Sequence, residues 1–324
     1  MGAVTLAPGI NEIRGAAERI RGLVRRTPLL AAAPAREHPE AVRGFLLKLE
    51  ALQVTGSFKP RGAVNALLAL PPARLQRGIV TASGGNHGLA VAYAGWAAGI
   101  PATIFLPRSV APDKLSKFAA WGARVVVSGE VWDDSNRAAL RHAEAEGLAY
   151  IHPFADPNVI AGQGTIALEI LAEAPQLDTL VVAIGGGGLI SGVAIAAKSL
   201  NLDIRIIGVE PAGAPTLYES LAADRLVELT RLDTAAVTLA PRRSELLNFA
   251  IVRQSVERIV LVEDAEMRAA ARWLWNEMGI AAELSGAAAV AALLAGKYRP
   301  APEERICAIV CGAGTDGIAS EAAS

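Results

Sequence analysis

Apolar, β-branched runs alternate with amphipathic stretches along almost the whole chain. The runs are FLLKLE (45–50), GIVTAS (78–83), ATIFLP (102–107), ARVVVS (123–128), LVVAI (180–184), IRIIGVE (204–210), ERIVLV (257–262) and ICAIVC (306–311). Helical spacing fills 10–24, 59–69, 87–99, 111–121, 132–146, 159–173, 188–199, 213–224, 264–278 and 282–295. Strands that are Val/Ile-rich throughout, not at alternate positions, are covered on both faces. That requires parallel sheet flanked by helices. So many βα units exceed one comfortable open sheet. The expected fold class is α/β, two lobes of mostly parallel sheet flanked by helices. A chain of 324 residues suits two domains. No low-complexity linker separates them, so the boundaries are tight. We place them near 76 and 156, giving a large domain (1–75 plus 157–324) and a small one (76–156).

Several function classes drop out on composition. Net charge is −1, and no dense Lys/Arg run carries interleaved aromatics, so a nucleic-acid partner is not expected. The uncharged stretch 179–197 is interrupted by four glycines, Gly185 to Gly188, and reads as strand, loop and helix rather than a membrane span. The N-terminus lacks a basic segment followed by an apolar one, so no signal peptide is expected. The two cysteines, Cys307 and Cys311, lie on one predicted strand, about 13 Å apart at roughly 3.3 Å per residue, too far to pair. A reducing, cytoplasmic setting follows.

In α/β folds, ligands gather where strand carboxyl ends meet helix N-termini. Three stretches fit. In TASGGNHG, Ser83, Gly84, Gly85, Asn86 and His87 link a strand to a helix. Exposed amides there suit a carboxylate or phosphate, and an ordinary βα turn is equally compatible. His87 taken alone is a turn residue before it is a base. The second is VVAIGGGGLISG. It breaks GxGxxG, because Ile190 and Ser191 stand where glycines would be needed, and GxxxxGK[ST] is absent. Four consecutive glycines are entropically costly, which favours an anion cradle over a plain tight turn. The third is ICAIVCGAG, where Cys311 closes a strand at its carboxyl end.

Lys59 ties these together. In GSFKPRG, Ser57 is a natural N-cap, so Lys59 falls in the first helical turn, beside Pro60. The helix dipole and partial burial both favour its neutral form there. A neutral amine is a nucleophile toward aldehydes. An exposed, snorkelling lysine is the plainer reading. With the glycine cradle, the set points to pyridoxal 5'-phosphate, aldehyde on Lys59 and phosphate on the glycines.

The segments SFKPRGA (57–63), SGGNHG (83–88), HPFADPNVIAGQGTIALEI (152–170), GGGGL (185–189) and VEP (209–211) resemble the serine/threonine dehydratase and serine racemase family. These are fold type II pyridoxal phosphate enzymes, similar to the tryptophan synthase β subunit. The likeness runs from RTPLL (26–30) to Gly312. It implies that Lys59 is the Schiff-base lysine, that Phe58 packs on the ring, and that Asn86 bonds the 3-hydroxyl. It further implies that Gly185 to Leu189 hold the phosphate and Ser83 to His87 the substrate carboxylate. Cys311 falls where the family sets a serine or cysteine against the pyridine nitrogen, and Glu283 flanks the ring. A thiol cannot keep that nitrogen protonated, so a full carbanion is disfavoured and prompt loss of the β-hydroxyl is favoured. The implied reaction is dehydration of an L-hydroxy amino acid to a 2-oxo acid and ammonia, with Lys59 removing the Cα proton and the cofactor phosphate assisting the leaving hydroxyl. A homodimer or homotetramer is implied too.

Departures from the family sharpen this. Racemases carry a serine where this chain has Gly84, so racemisation should be weak. Relatives bind a divalent cation through a Glu, a backbone carbonyl and an acidic side chain. Glu210 and Ala214 match two of these, but Thr216 replaces the acid, and a neutral oxygen is a poorer ligand for a hard cation. The regulatory domain of isoleucine-inhibited dehydratases is not expected beyond Cys311. Competing readings are β-replacement or threonine synthesis on the same scaffold, where Asp-Arg usually follows the lysine instead of Pro60-Arg61. A catalytically dead amino-acid sensor is a further competitor.

Overall fold

Two sheets share no strand in the computed structural model, which describes residues 6–33, 35–36, 44–108, 110 and 112–318. Residue 111, first of the predicted helix 111–121, and both chain ends of the large-domain expectation lie outside the described residues. The first sheet holds β1 (Leu29–Ala31), β2 (Leu46–Lys48), β7 (Thr179–Ala183), β8 (Arg205–Pro211), β9 (Arg258–Val262) and β10 (Ile306–Ile309), in the order β1-β2-β10-β7-β8-β9. The second holds β3 (Ile79–Ala82), β4 (Ala102–Leu106), β5 (Arg124–Val127) and β6 (Ala149–Tyr150), in the order β5-β4-β3-β6. Every pairing among these strands is parallel except β1 with β2. The α/β class and the two parallel sheets expected from continuous apolar runs are therefore observed.

The helices are α1 (Ile10–Arg19), α2 (Lys59–Leu68), α3 (Pro72–Leu75), α4 (Asn86–Ala98), α5 (Pro112–Ala120), α6 (Trp132–Glu146), α7 (Pro157–Glu173), α8 (Gly188–Leu200), α9 (Thr216–Ala222), α10 (Leu246–Ser255), α11 (Asp264–Met278) and α12 (Leu284–Leu294). All five residues of β7 are buried, as are Leu284 to Leu293 of α12, which is apolar on every side. A helix of that kind belongs inside the packing rather than on its surface. The core on one face of the second sheet takes in Ile20 and four α2 residues, Ala63, Val64, Ala66 and Leu67.

Some predicted bounds shift, each for a local reason. The run 45–50 stops as strand at Lys48, because Leu49 turns the chain into a 3-10 turn (Glu50–Leu52) that buries Glu50. The helix predicted over 10–24 ends at Arg19, and Gly22 lies just beyond at a φ of 78°. The segment 213–224 is helical only from Thr216, after Pro215. Ser57 is not the N-cap of α2. Its backbone is extended and pairs with Gly312, so Phe58 takes the cap position without a side-chain hydrogen bond.

Helix α7 lies backbone to backbone against α2. A Cβ on Gly162 would fall 2.3 Å from the Arg61 carbonyl oxygen. At that contact sits a buried ionic cluster. The Arg61 guanidinium donates to both oxygens of Glu50 at 2.8 Å and to Glu169 at 2.7 and 2.9 Å. Lys48 Nζ donates to Glu169 at 2.5 Å and to the Thr27 carbonyl at 2.7 Å. Two cations meet two carboxylates, so the buried charges are mutually paired. The start of α2, and with it Lys59, is tied to β2 and α7.

Candidate active site

Lys59 is the first residue of α2. The residue is half-buried, and its Nζ donates to the Pro153 carbonyl at 2.9 Å and lies 5.1 Å from the Phe58 ring centroid. Burial brings its pKa down to about 8, against the opposing pull of Glu283 close by. The displacement of Ser57 from the cap leaves the ammonium at the helix start, so the expectation of a depressed amine holds by the same physics.

The predicted glycine loop joins β7 to α8. Gly187 caps α8 at a φ of 94°, and no side chain caps the first turn. A Cβ on Gly186 would fall 2.3 Å from the Phe154 ring, so the close approach of that ring requires glycine. Asn248, on α10, closes the far side, its Nδ2 donating to the Phe154 carbonyl at 3.1 Å and to Ser191 Oγ at 3.2 Å. Gly187, Gly188 and Leu189 are buried, and Gly185 and Gly186 half-buried.

The Ser83–His87 loop joins β3 to α4. Its helix cap, Gly85, also leaves the first turn without a side-chain partner. Asn86 Nδ2 donates to Glu283 Oε1 at 2.8 Å. Thr238 Oγ1 bonds Ser285 Oγ and reaches Glu283 Oε1 at 3.4 Å. A Cβ on Gly85 would lie 3.7 Å from Thr238 Cγ2, and one on Gly185 would lie 3.0 Å from the Thr238 carbonyl oxygen. Thr238 thus stands between the two loops. His87 is buried, its Nε2 3.1 Å from the Ile151 carbonyl. Burial first, and the Lys59 charge second, lower its pKa to about 3. The ring is neutral and carries its proton on Nε2, so it brings no cation to an anionic ligand; the loop amides do that.

Cys311 lies two residues past β10, and its Sγ donates to the Ser285 carbonyl at 3.4 Å. Burial, then the Glu283 charge, push its pKa upward, so it stands as a neutral thiol. Both cysteines are free and buried.

Glu210 and Ala214 engage α9 instead. The Glu210 oxygens accept the N–H groups of Leu217 at 2.8 Å and Tyr218 at 2.9 Å, and Thr216 Oγ1 donates to the Pro241 carbonyl at 2.8 Å. Burial raises the Glu210 pKa to about 8, with those amides opposing. Among the described residues, no three His, Cys, Asp or Glu side chains converge as a metal site. Each Glu210 oxygen already accepts one amide, so the Glu210 carboxyl, the Ala214 carbonyl and the neutral Thr216 hydroxyl make a sparse donor set for a hard divalent cation.

The set fits pyridoxal phosphate better. It offers one nucleophilic amine, two helix starts without side-chain caps, and, among the described residues, buried polar atoms without partners at Ser57 Oγ, His87 Nδ1 and Asn248 Oδ1. Thr238, Ser285, Asn248 and the 151–155 segment were missed as site residues by sequence reasoning. The resemblance over 152–170, the 239–250 stretch LAPRRSELLNFA as a pocket wall, and the segment around Glu283 pointed near the 151–155 segment, Asn248 and Ser285, but not to the residues themselves, because each meets the site through contacts distant in the chain.

Comparison with known proteins agrees. The sequence profile of the family described as "Pyridoxal-phosphate dependent enzyme" matches residues 20–312. The L-threonine ammonia-lyase of Thermotoga maritima is 40% identical over 287 residues, 88% of this chain and 71% of that protein. The structure of maize serine racemase superposes with a TM-score of 0.90 at 35% identity, covering 95% of this chain and 94% of that one. The processed form of threonine deaminase isoform 2 from Solanum lycopersicum superposes with a TM-score of 0.83 at 34% identity, covering 96% of this chain and 92% of that one. The profile match over most of the chain, on a fold that presents a buried lysine between two glycine loops, shows that this chain belongs to the pyridoxal-phosphate dependent enzymes.

Proposed function

We propose that the chain is a serine/threonine dehydratase, an ammonia-lyase that eliminates water from an L-hydroxy amino acid to give a 2-oxo acid and ammonia. The observation that carries this is the Lys59 amine, held down to about 8 and bonded only through its protons to Pro153. The similarity to a threonine ammonia-lyase and a threonine deaminase supports the reaction class. The residues that would hold the cofactor are Lys59, Phe58, Asn86, Gly185 to Leu189, Glu283 and Cys311. Pyridoxal phosphate supplies an aldehyde that captures amino groups and a ring that draws electrons from the adjoining carbon. At pH near 8 about half of Lys59 is a free amine able to take a Cα proton. The Pro153 carbonyl then holds the resulting ammonium. Glu283 fixes the Asn86 amide with its N–H toward the carboxylate, which leaves the amide oxygen and second N–H for the ligand. The amides at the start of α4 take the substrate carboxylate.

Racemisation is the second reading, favoured by the likeness to maize serine racemase. Gly84 has no side chain to return a proton, so elimination dominates in our reading. The small domain of 76–156 carries the Ser83–His87 loop toward the lysine, and the enzyme works in the cytoplasm as a homodimer or homotetramer. Buried free cysteines are consistent with a reducing compartment. The test is direct. Purified protein incubated with L-serine or L-threonine should release 2-oxo acid and ammonia, and borohydride reduction should attach the cofactor to the Lys59 peptide. Lys59→Ala should lower turnover by about a thousandfold or more. A yellow protein that only exchanges a β-substituent, or only interconverts enantiomers, would overturn the assignment.

A further inference from the structure

The segment 151–155 meets three separate side chains of the site and its glycine loop. The Ile151 carbonyl faces His87 Nε2, the Pro153 carbonyl holds Lys59 Nζ, and the Phe154 carbonyl holds Asn248. The Phe154 ring lies against Gly186. What shapes the segment is His152. Its Nδ1 accepts the Phe154 N–H at 3.2 Å and the Ala155 N–H at 2.9 Å. Its ring meets the Phe154 ring edge-on, with centroids 4.8 Å apart. We infer that His152 is a positioning residue whose Nδ1 folds the 152–155 turn, aiming the Pro153 carbonyl at Lys59 and the Phe154 ring at the glycine loop.

Two donors on Nδ1 require an unprotonated nitrogen there, so the neutral ring carries its proton on Nε2. The charged or titratable groups facing it are Lys59 and His87, both basic, and the neutral Tyr150 ring. No carboxylate is among these to draw a second proton onto the imidazole. The purpose assigned to the turn rests on the proposed function; the turn itself does not.

The test uses the full-length holoenzyme and three variants. Asparagine presents an oxygen where histidine presents Nδ1, so His152→Asn keeps the acceptor. His152→Phe keeps the ring contact without it, and His152→Ala removes both. In the Phe and Ala variants, amide exchange at 154 and 155 should rise about tenfold, and cofactor affinity and kcat should fall about tenfold, with little change in KM. His152→Asn should recover most of each loss. Wild-type exchange and affinity in His152→Phe, or an Asn variant as impaired as Ala, would overturn the inference. Should the Phe and Ala variants fail to fold, nitrogen-15 spectra of the wild-type histidines decide, and only four are present. An unprotonated Nδ1 at 152 upholds the inference and an N–H there sinks it. Exchange and tautomer report on the turn even if neither serine nor threonine is consumed.

Discussion

At the scale of single residues, the site is a cluster of basic groups whose protons are held less firmly than usual. Lys59 titrates near 8, His152 near 4 and His87 near 3, and burial is the first cause in each case. The histidines carry a consequence for stability. Unfolded histidine titrates near 6.5, so below that pH the unfolded chain binds more protons than the folded one. The histidines' contribution is therefore full above pH 6.5 and is lost as pH falls toward 4 and then 3, on the order of a few kcal/mol after the opposing gain from Glu210, whose proton the folded chain binds first. Urea melts between pH 7 and 4 should show this decline, and His152→Asn should flatten part of it. A curve unchanged by that substitution would assign the slope to other groups. The chemistry of Lys59 was legible from its place at a helix start beside proline. The partner of its proton was not, because Pro153 lies 94 positions away and offers only a backbone oxygen.

At the scale of elements, α2 is the part that must not move. Arg61, two residues past the lysine, is fully buried and bound to Glu50 and Glu169. Arg19 Nη1 reaches Asn65 Oδ1 at 2.5 Å, and Asn65 Nδ2 reaches the Asn158 carbonyl at 2.7 Å. Arg61→Met would leave two carboxylates facing one remaining cation, Lys48. It should destabilise the fold by about 3–5 kcal/mol, read from denaturant melts. A loss below about 1 kcal/mol would show that Lys48 and water suffice. The same contacts explain the segment IAGQGTIALEI. Gly162 admits the Arg61 backbone, and Thr165 and Glu169 bind its guanidinium. That segment therefore holds the lysine's helix rather than the ligand. Helix α10 was not foreseen, since LAPRRSELLNFA shows too short an apolar period to announce one.

At the scale of the whole molecule, the site is assembled across the two sheets. Asn86 and His87 come from the β3 side, while Glu283, Cys311 and the glycine loop come from the six-stranded sheet. A cofactor gripped by both should stabilise the folded chain. With free pyridoxal phosphate at about a hundred times its dissociation constant, the gain is about 2.7 kcal/mol. Holoenzyme should melt above apoenzyme accordingly, and equal melting temperatures would argue that the groups do not grip one ligand together. Residue order was enough to announce an α/β chain with parallel sheets, glycine loops at strand ends and a reactive lysine, because periodicity and turn chemistry act locally. Packing alone decided that Ser57 pairs with Gly312 instead of capping α2, that Glu210 caps α9, and that Asn86 meets Glu283 across 197 positions. The first and last join groups far apart in the chain, and the Glu210 contact depends on how the chain turns between β8 and α9; neither kind leaves a period or spacing to read until the chain has folded.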